Sequence, residues 1–171
     1  FCYDPTSLAV NFMKNKDYDK KLIYFKDYGI WNEDKKVKFY HQSNQNQKNT
    51  GGSITNLFEN ETYDLLQCYK LKTLMRQNNH KNIDILKLDI EGAAFEVLYN
   101  LINDKIYPKQ IIVEFEYSEN DKIDNTKFNN WSDKLSKLIS EFKKLKYKCY
   151  YLPRYSHHPY STIETLFIKQ D

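Results

Sequence analysis

The run Ile83-Asp84-Ile85-Leu86-Lys87-Leu88-Asp89 is rich in branched apolar residues, and it breaks at Ile90-Glu91-Gly92 before apolar positions recur at Phe95, Leu98 and Ile102. The first stretch predicts a strand and the second a helix, so the chain carries a strand-turn-helix with two carboxylates and a glycine at its tip. Similar shifts of period mark the rest. Leu8 to Met13 predicts a short helix with Thr6 or Ser7 as its cap, and Leu22 to Phe25 a short strand. From Val37 to Leu71 short alternating pieces flank the polar stretch Gln42 to Gly52, which predicts an inserted β-hairpin or small side sheet with a loop. Thr73 to Asn78 predicts a helix, and Gln110 to Tyr117 a strand entered through Pro108. Trp131, Leu135, Leu138, Ile139, Phe142 and Leu145 form one stripe at helical spacing over 128–145, read as core contact. Tyr147 to Leu152 and Thr162 to Lys169 close the chain as two strands. The alternation of strands and helices predicts an α/β fold.

The 171 residues suit one domain, and 40% hydrophobic residues are enough for a folded core. Basic and acidic side chains nearly cancel, leaving +3, so no phosphate-binding stripe dominates and nucleic acid is not the favoured partner. Cys2, Cys68 and Cys149 form no C-x-x-C pair, which fits reduced thiols better than a disulfide framework or a zinc site. No apolar run approaches the roughly 20 residues that a bilayer requires. Together these predict a soluble, cytoplasmic protein with no membrane partner.

The candidate chemistry gathers at strand ends, where ligands bind in open α/β sheets. Lys87 and Asp89 lie two apart on a strand and share a face, as do Glu114 and Glu116 on the following strand. A lysine in so apolar a strand calls for a partner, and Glu114 is the expected one, as a buried ion pair that fixes the site or as part of the chemistry. Asp89 is placed to hold a substrate, a divalent metal or the proton of a reacting hydroxyl, with Glu91 beside it. Gly92 would let the turn approach a ligand or the next helix. His157 and His158, with Arg154, fall in the connection between the last two strands. Either histidine could act as a base, although a His pair in a polar loop is more often plain surface.

Lys87-Leu88-Asp89-Ile90-Glu91-Gly92-Ala93, Phe95-Glu96-Val97-Leu98 and Ile111-Ile112-Val113-Glu114-Phe115 resemble the FkbM-type methyltransferases. So do Asp4-Pro5-Thr6, the stretch from Tyr28-Gly29-Ile30-Trp31 to Asp34, Gly52-Ser53-Ile54 and Glu164-Thr165-Leu166-Phe167-Ile168. The resemblance spans nearly the whole chain from Asp4 onward. It implies S-adenosylmethionine as methyl donor, a hydroxyl as acceptor, and a Rossmann-like class I methyltransferase sheet, mostly parallel with an antiparallel last strand. It further implies that Asp4 holds the cofactor ribose and that Tyr28 and Trp31 wall the adenine, where core packing is the alternative for both, with Gly29, Asp89 and Glu91 completing the cofactor site. Asp89, Lys87, Glu116 and His157 are then the catalytic candidates, and Glu114, Arg154 and His158 the acceptor-binding ones. The family's first strand and its glycine-rich turn are expected to be absent, since the chain opens at Phe1 in what reads as the end of the second strand.

Two departures from the family pattern bear on activity. Ala94 stands where many members carry glutamate, and Glu116 where many carry histidine. The resulting expectation is an O-methyltransferase acting on a sugar, glycan or small molecule, with a divalent metal as an option and further domains in a longer parent chain. A nonenzymatic remnant of such an enzyme and a nucleic-acid ribose methyltransferase are the two alternative readings.

Overall fold

The computed structural model describes residues 1–41, 52–55, 61–116, 125–152 and 162–170. Strand β1 (Cys2–Tyr3) leads into helix α1 (Ser7–Asn15), whose first turn is capped by Thr6: its hydroxyl accepts the Ala9 N–H. Strand β2 (Phe25–Lys26) then pairs parallel with β1. The strand expected over Leu22 to Phe25 starts later because Asp19 claims the preceding residues. Its carboxylate accepts the Lys21 N–H and its carbonyl accepts the N–H groups of Leu22 and Ile23, which closes a turn.

Of the two forms expected for the insertion, the structure has the small side sheet and not the lone hairpin. Strands β3 (Gly29–Ile30), β4 (Lys35–His41), β5 (Gly52–Ser53) and β6 (Tyr63–Tyr69) form a four-stranded sheet in the order β3-β6-β4-β5. Helix α2 (Leu71–Gln77) follows and lacks a side-chain cap of its own. Asp34 supplies one from a distance, accepting the Lys70 N–H and the Thr73 hydroxyl at 2.7 Å each.

Strand β7 (Ile85–Leu88), helix α3 (Ala94–Asp104), strand β8 (Gln110–Glu116), helix α4 (Asn125–Lys144) and strands β9 (Tyr147–Leu152) and β10 (Thr162–Lys169) complete the chain. Their sheet runs β7-β8-β10-β9, with β7 parallel to β8 and β10 antiparallel to both its neighbours. The antiparallel final strand is as expected. The single sheet is not: the described strands fall into three sheets, with β7 and both members of the β1–β2 pair as edges.

The main core lies on one face of the β7–β10 sheet. Leu86, Leu88, Val113, Phe115 and Phe167 meet Leu98 and Leu101 of α3 and the α4 stripe of Leu135, Leu138, Ile139 and Phe142. Alternation sends the intervening residues to the other face: Ile85 and Lys87 are exposed, Ile112 and Glu114 half-buried. The acidic residues therefore share the face that α3 and α4 do not cover.

Candidate functional site

A cavity of about 690 Å³, within the range of small-molecule sites, is walled by Tyr3, Asp4 and Gly29 on one side and by Lys87, Asp89 and Glu91 on the other. Asp4 follows the carboxyl end of β1, and Asp89 and Glu91 follow that of β7. Leu71, Leu74, Met75 and Leu88 add apolar wall. The strand ends at Tyr3 and Leu88, 85 residues apart in sequence, thus open on one hollow.

Each wall residue is held by its own surroundings. Asp4 uses Oδ1 to accept the Thr6 N–H at 2.9 Å and the Thr6 hydroxyl at 2.7 Å, a local turn before α1. Among the described residues Oδ2 has no such bond. Gly29 is buried where a Cβ would sit 2.8 Å from the Cys68 sulfur and 3.3 Å from Pro5, so only glycine lets β3 lie against that wall. Burial pushes the Cys68 thiol up to about 11, against the backbone N–H of Gly29, which makes it an inert packing group.

The turn after β7 places two consecutive residues at positive φ, Glu91 at 40° and Gly92 at 80°. Such a turn is strained at Glu91 and persists only when its surroundings fix it. Two bonds do so. The Ser53 hydroxyl donates to the Glu91 carbonyl at 2.5 Å, and the Gly92 N–H donates to Glu116 Oε2 at 2.8 Å. The first ties the inserted sheet to the tip of β7, and the second ties it to the end of β8. Sequence reasoning missed the role of Ser53. Its signal was its place in the family-like stretch Gly52-Ser53-Ile54, which gave it no role, and its complete burial is a tertiary fact.

Lys87 does not pair with Glu114 as expected. Its Nζ lies 2.9 Å from Asp89 Oδ2, and both side chains are at least half exposed. The reason is position: β7 is an edge strand, so the lysine is not buried and takes the carboxylate two residues along its own face. The Asp89 hydrogen bond and then the charges of Asp89, Glu114 and Glu164 hold the ammonium above its ordinary range.

One carboxylate oxygen each from Asp89, Glu114 and Glu116 lies within 4.8 Å of the others. Glu116 is the buried member, only 6% exposed. Burial pushes its carboxyl up to about 8, with the charges of Glu91 and Glu114 adding to the effect and the Gly92 N–H opposing it. Oε2 is taken by Gly92, whereas Oε1 is buried without a hydrogen-bond partner. The Trp131 indole donates to the Glu116 carbonyl at 2.9 Å, which joins α4 to the same strand end.

Of the expected site residues, Asp4, Gly29, Lys87, Asp89 and Glu91 share the cavity wall, and Glu114 and Glu116 gather beside Asp89. Tyr28 packs instead between Tyr3, at 5.7 Å, and Tyr69, at 5.0 Å between ring centres, and is not among the cavity-lining residues described. Arg154, His157 and His158 lie outside the described residues. No described helix is long and apolar enough to cross a membrane.

The sequence model of the methyltransferase FkbM domain matches residues 5–149, most of the chain. No curated protein and no solved structure matches it. Enzymes of this kind are generally dependent on S-adenosylmethionine. The match takes in Gly29, Lys87, Asp89 and Glu91 of the cavity wall and the acidic group beside it, whereas Tyr3 and Asp4 stand just before it, and the chain belongs to the FkbM family of methyltransferases.

Proposed function

We propose that the chain transfers a methyl group from S-adenosylmethionine to a hydroxyl of a sugar, glycan or other small molecule. The observation that carries this reading is that Asp4 and Asp89, each just past a strand end, wall one cavity of small-molecule size. In this reading β1–β2 and β7–β8–β10–β9 are two parts of one class I methyltransferase sheet that flank the site. The parallel pairing within each part and the antiparallel β10 support it. The net charge of +3 favours a small acceptor over nucleic acid.

The residues fit such a donor. Asp4 Oδ2 is available for a ribose hydroxyl, and the apolar wall suits an adenine ring. When bound, the cofactor supplies a methyl group on a positively charged sulfur, ready for in-line displacement. Asp89 then orients the acceptor hydroxyl and takes its proton as the oxygen attacks. Lys87 is a positioning residue, since its ammonium fixes Asp89 Oδ2. Glu116 fixes the turn that carries Asp89 and Glu91 into the cavity.

Calorimetry with S-adenosylmethionine and with its demethylated product tests the reading. Binding that Asp4→Ala weakens about tenfold or more supports it. A chain that melts cooperatively yet binds neither compound overturns it.

A further inference from the structure

We propose that Asp89, Glu114 and Glu116 form a site for one divalent cation of the hard, oxygen-seeking class, Mg2+ or Mn2+. One oxygen of each carboxylate lies within 4.8 Å of the other two. An ion bound at about 2.1 Å sets opposite ligands about 4.2 Å apart, so small side-chain movements bring all three onto one ion. Among the described residues the three ligands are all carboxylates, a set that selects Mg2+ or Mn2+ over zinc or copper.

An acidic group alone would not make a site, and Glu116 adds a separate fact. Its side chain is 6% exposed, its Oε2 is held by Gly92, and its Oε1 is buried with no hydrogen-bond partner. An orphaned buried acceptor costs about 1–3 kcal/mol, more when charged, and a native structure seldom keeps one without use. No described donor reaches that oxygen, whereas a cation between it and Asp89 would satisfy it.

Lys87 is the one described ammonium at the cluster, and it occupies Asp89 Oδ2 only. The other oxygen of Asp89 remains for the ion. Asp89 is half exposed, which leaves coordination positions for water and for an acceptor oxygen. The role toward an acceptor rests on the methyltransferase reading; ion binding itself does not.

The test is Mn2+ binding to the full chain at pH 8, followed by calorimetry and by the paramagnetic signal of free Mn2+, with Mg2+ as competitor. We expect one ion per chain, displaced by Mg2+. Glu116→Gln should weaken binding about tenfold or more, because affinity follows the charge count of the ligands. Lys87→Met should tighten it severalfold by removing a competing positive charge, an effect that a merely structural cluster would not produce. Asp89→Asn, at an exposed position, serves as a second weakening variant if Glu116→Gln fails to fold. A folded wild-type chain that binds no Mn2+, or equal binding in wild type and both weakening variants, overturns the proposal. Ion binding without methyl transfer would overturn the proposed function alone. Methyl transfer unaffected by chelator, with no ion bound, would overturn the cation site alone.

Discussion

Glu116 Oε2 accepts the Gly92 N–H at 2.8 Å, so the end of β8 holds the turn that follows β7. The two residues are 24 apart in sequence and meet because β7 and β8 are parallel neighbours whose carboxyl ends lie side by side. This bond, with that of Ser53 to Glu91, makes the position of Asp89 a property of three strands and not of one loop.

Gly92→Ala should therefore be costly out of proportion to its size. At a φ of 80° an L-residue pays roughly 1–2 kcal/mol for the left-handed conformation. Urea denaturation should show that loss with an unchanged m-value, and methyl transfer should fall because the turn carries Asp89.

Glu116 gives stability a pH dependence in cation-free, chelated buffer. Its folded carboxyl is pushed from 4.5 up to about 8, so between those values the folded chain keeps a proton that the unfolded chain has lost. The stabilising protonated state is fully present below about 4.5, and stability falls as pH rises toward 8, by on the order of a few kcal/mol. Denaturation midpoints in Glu116→Gln, which cannot ionise, should lack this fall. Parallel curves for the two proteins would show that the carboxyl titrates normally.

Asp34→Ala should loosen the start of α2. The carboxylate satisfies the Lys70 N–H and the Thr73 hydroxyl, and losing a cap of this kind costs about 1 kcal/mol. Hydrogen exchange should speed up in the first turn of α2 and remain unchanged in α4.

Much of this was legible in the sequence where the signal is local. The Thr6 cap, the α4 stripe and the strands over 110–116, 147–152 and 162–169 follow from side-chain period and turn chemistry. The carboxylates at the end of β7 were legible too, because a strand rich in branched residues ending in acid and glycine has few other readings. What the sequence did not disclose depends on neighbours in space. Lys87 was assigned to Glu114 because nothing in the chain says that β7 is an edge strand, where a lysine stays in solvent. Ser53 and Glu91 are 38 residues apart, and no periodicity announces their bond. The strand expected at Leu22 lost to a turn built by Asp19, a local signal that was present and outranked by apolar content.

Asp89→Asn should lower turnover by about a hundredfold or more, the usual scale for a proton acceptor, while cofactor affinity changes less. Lys87→Met should have a smaller effect, because the lysine acts through Asp89. Steady-state kinetics on both variants separates the roles: equal losses would make Lys87 a catalytic residue in its own right.

The tight fit of Gly29 against Cys68 offers a test that does not depend on the chemistry. A methyl at Gly29 would sit 2.8 Å from the Cys68 sulfur, and overpacking of this kind costs about 1–3 kcal/mol. Cys68→Ala alone should also destabilise, because it empties a fully packed position. In the double variant the added methyl occupies part of the space that the sulfur vacates, so the two losses should fall short of their sum by about 0.5 kcal/mol or more. A thermodynamic cycle measured by urea denaturation reads this directly. Strict additivity would mean that Pro5, 3.3 Å away, sets the limit and that β3 is held against the cavity wall through the turn between β1 and α1 instead.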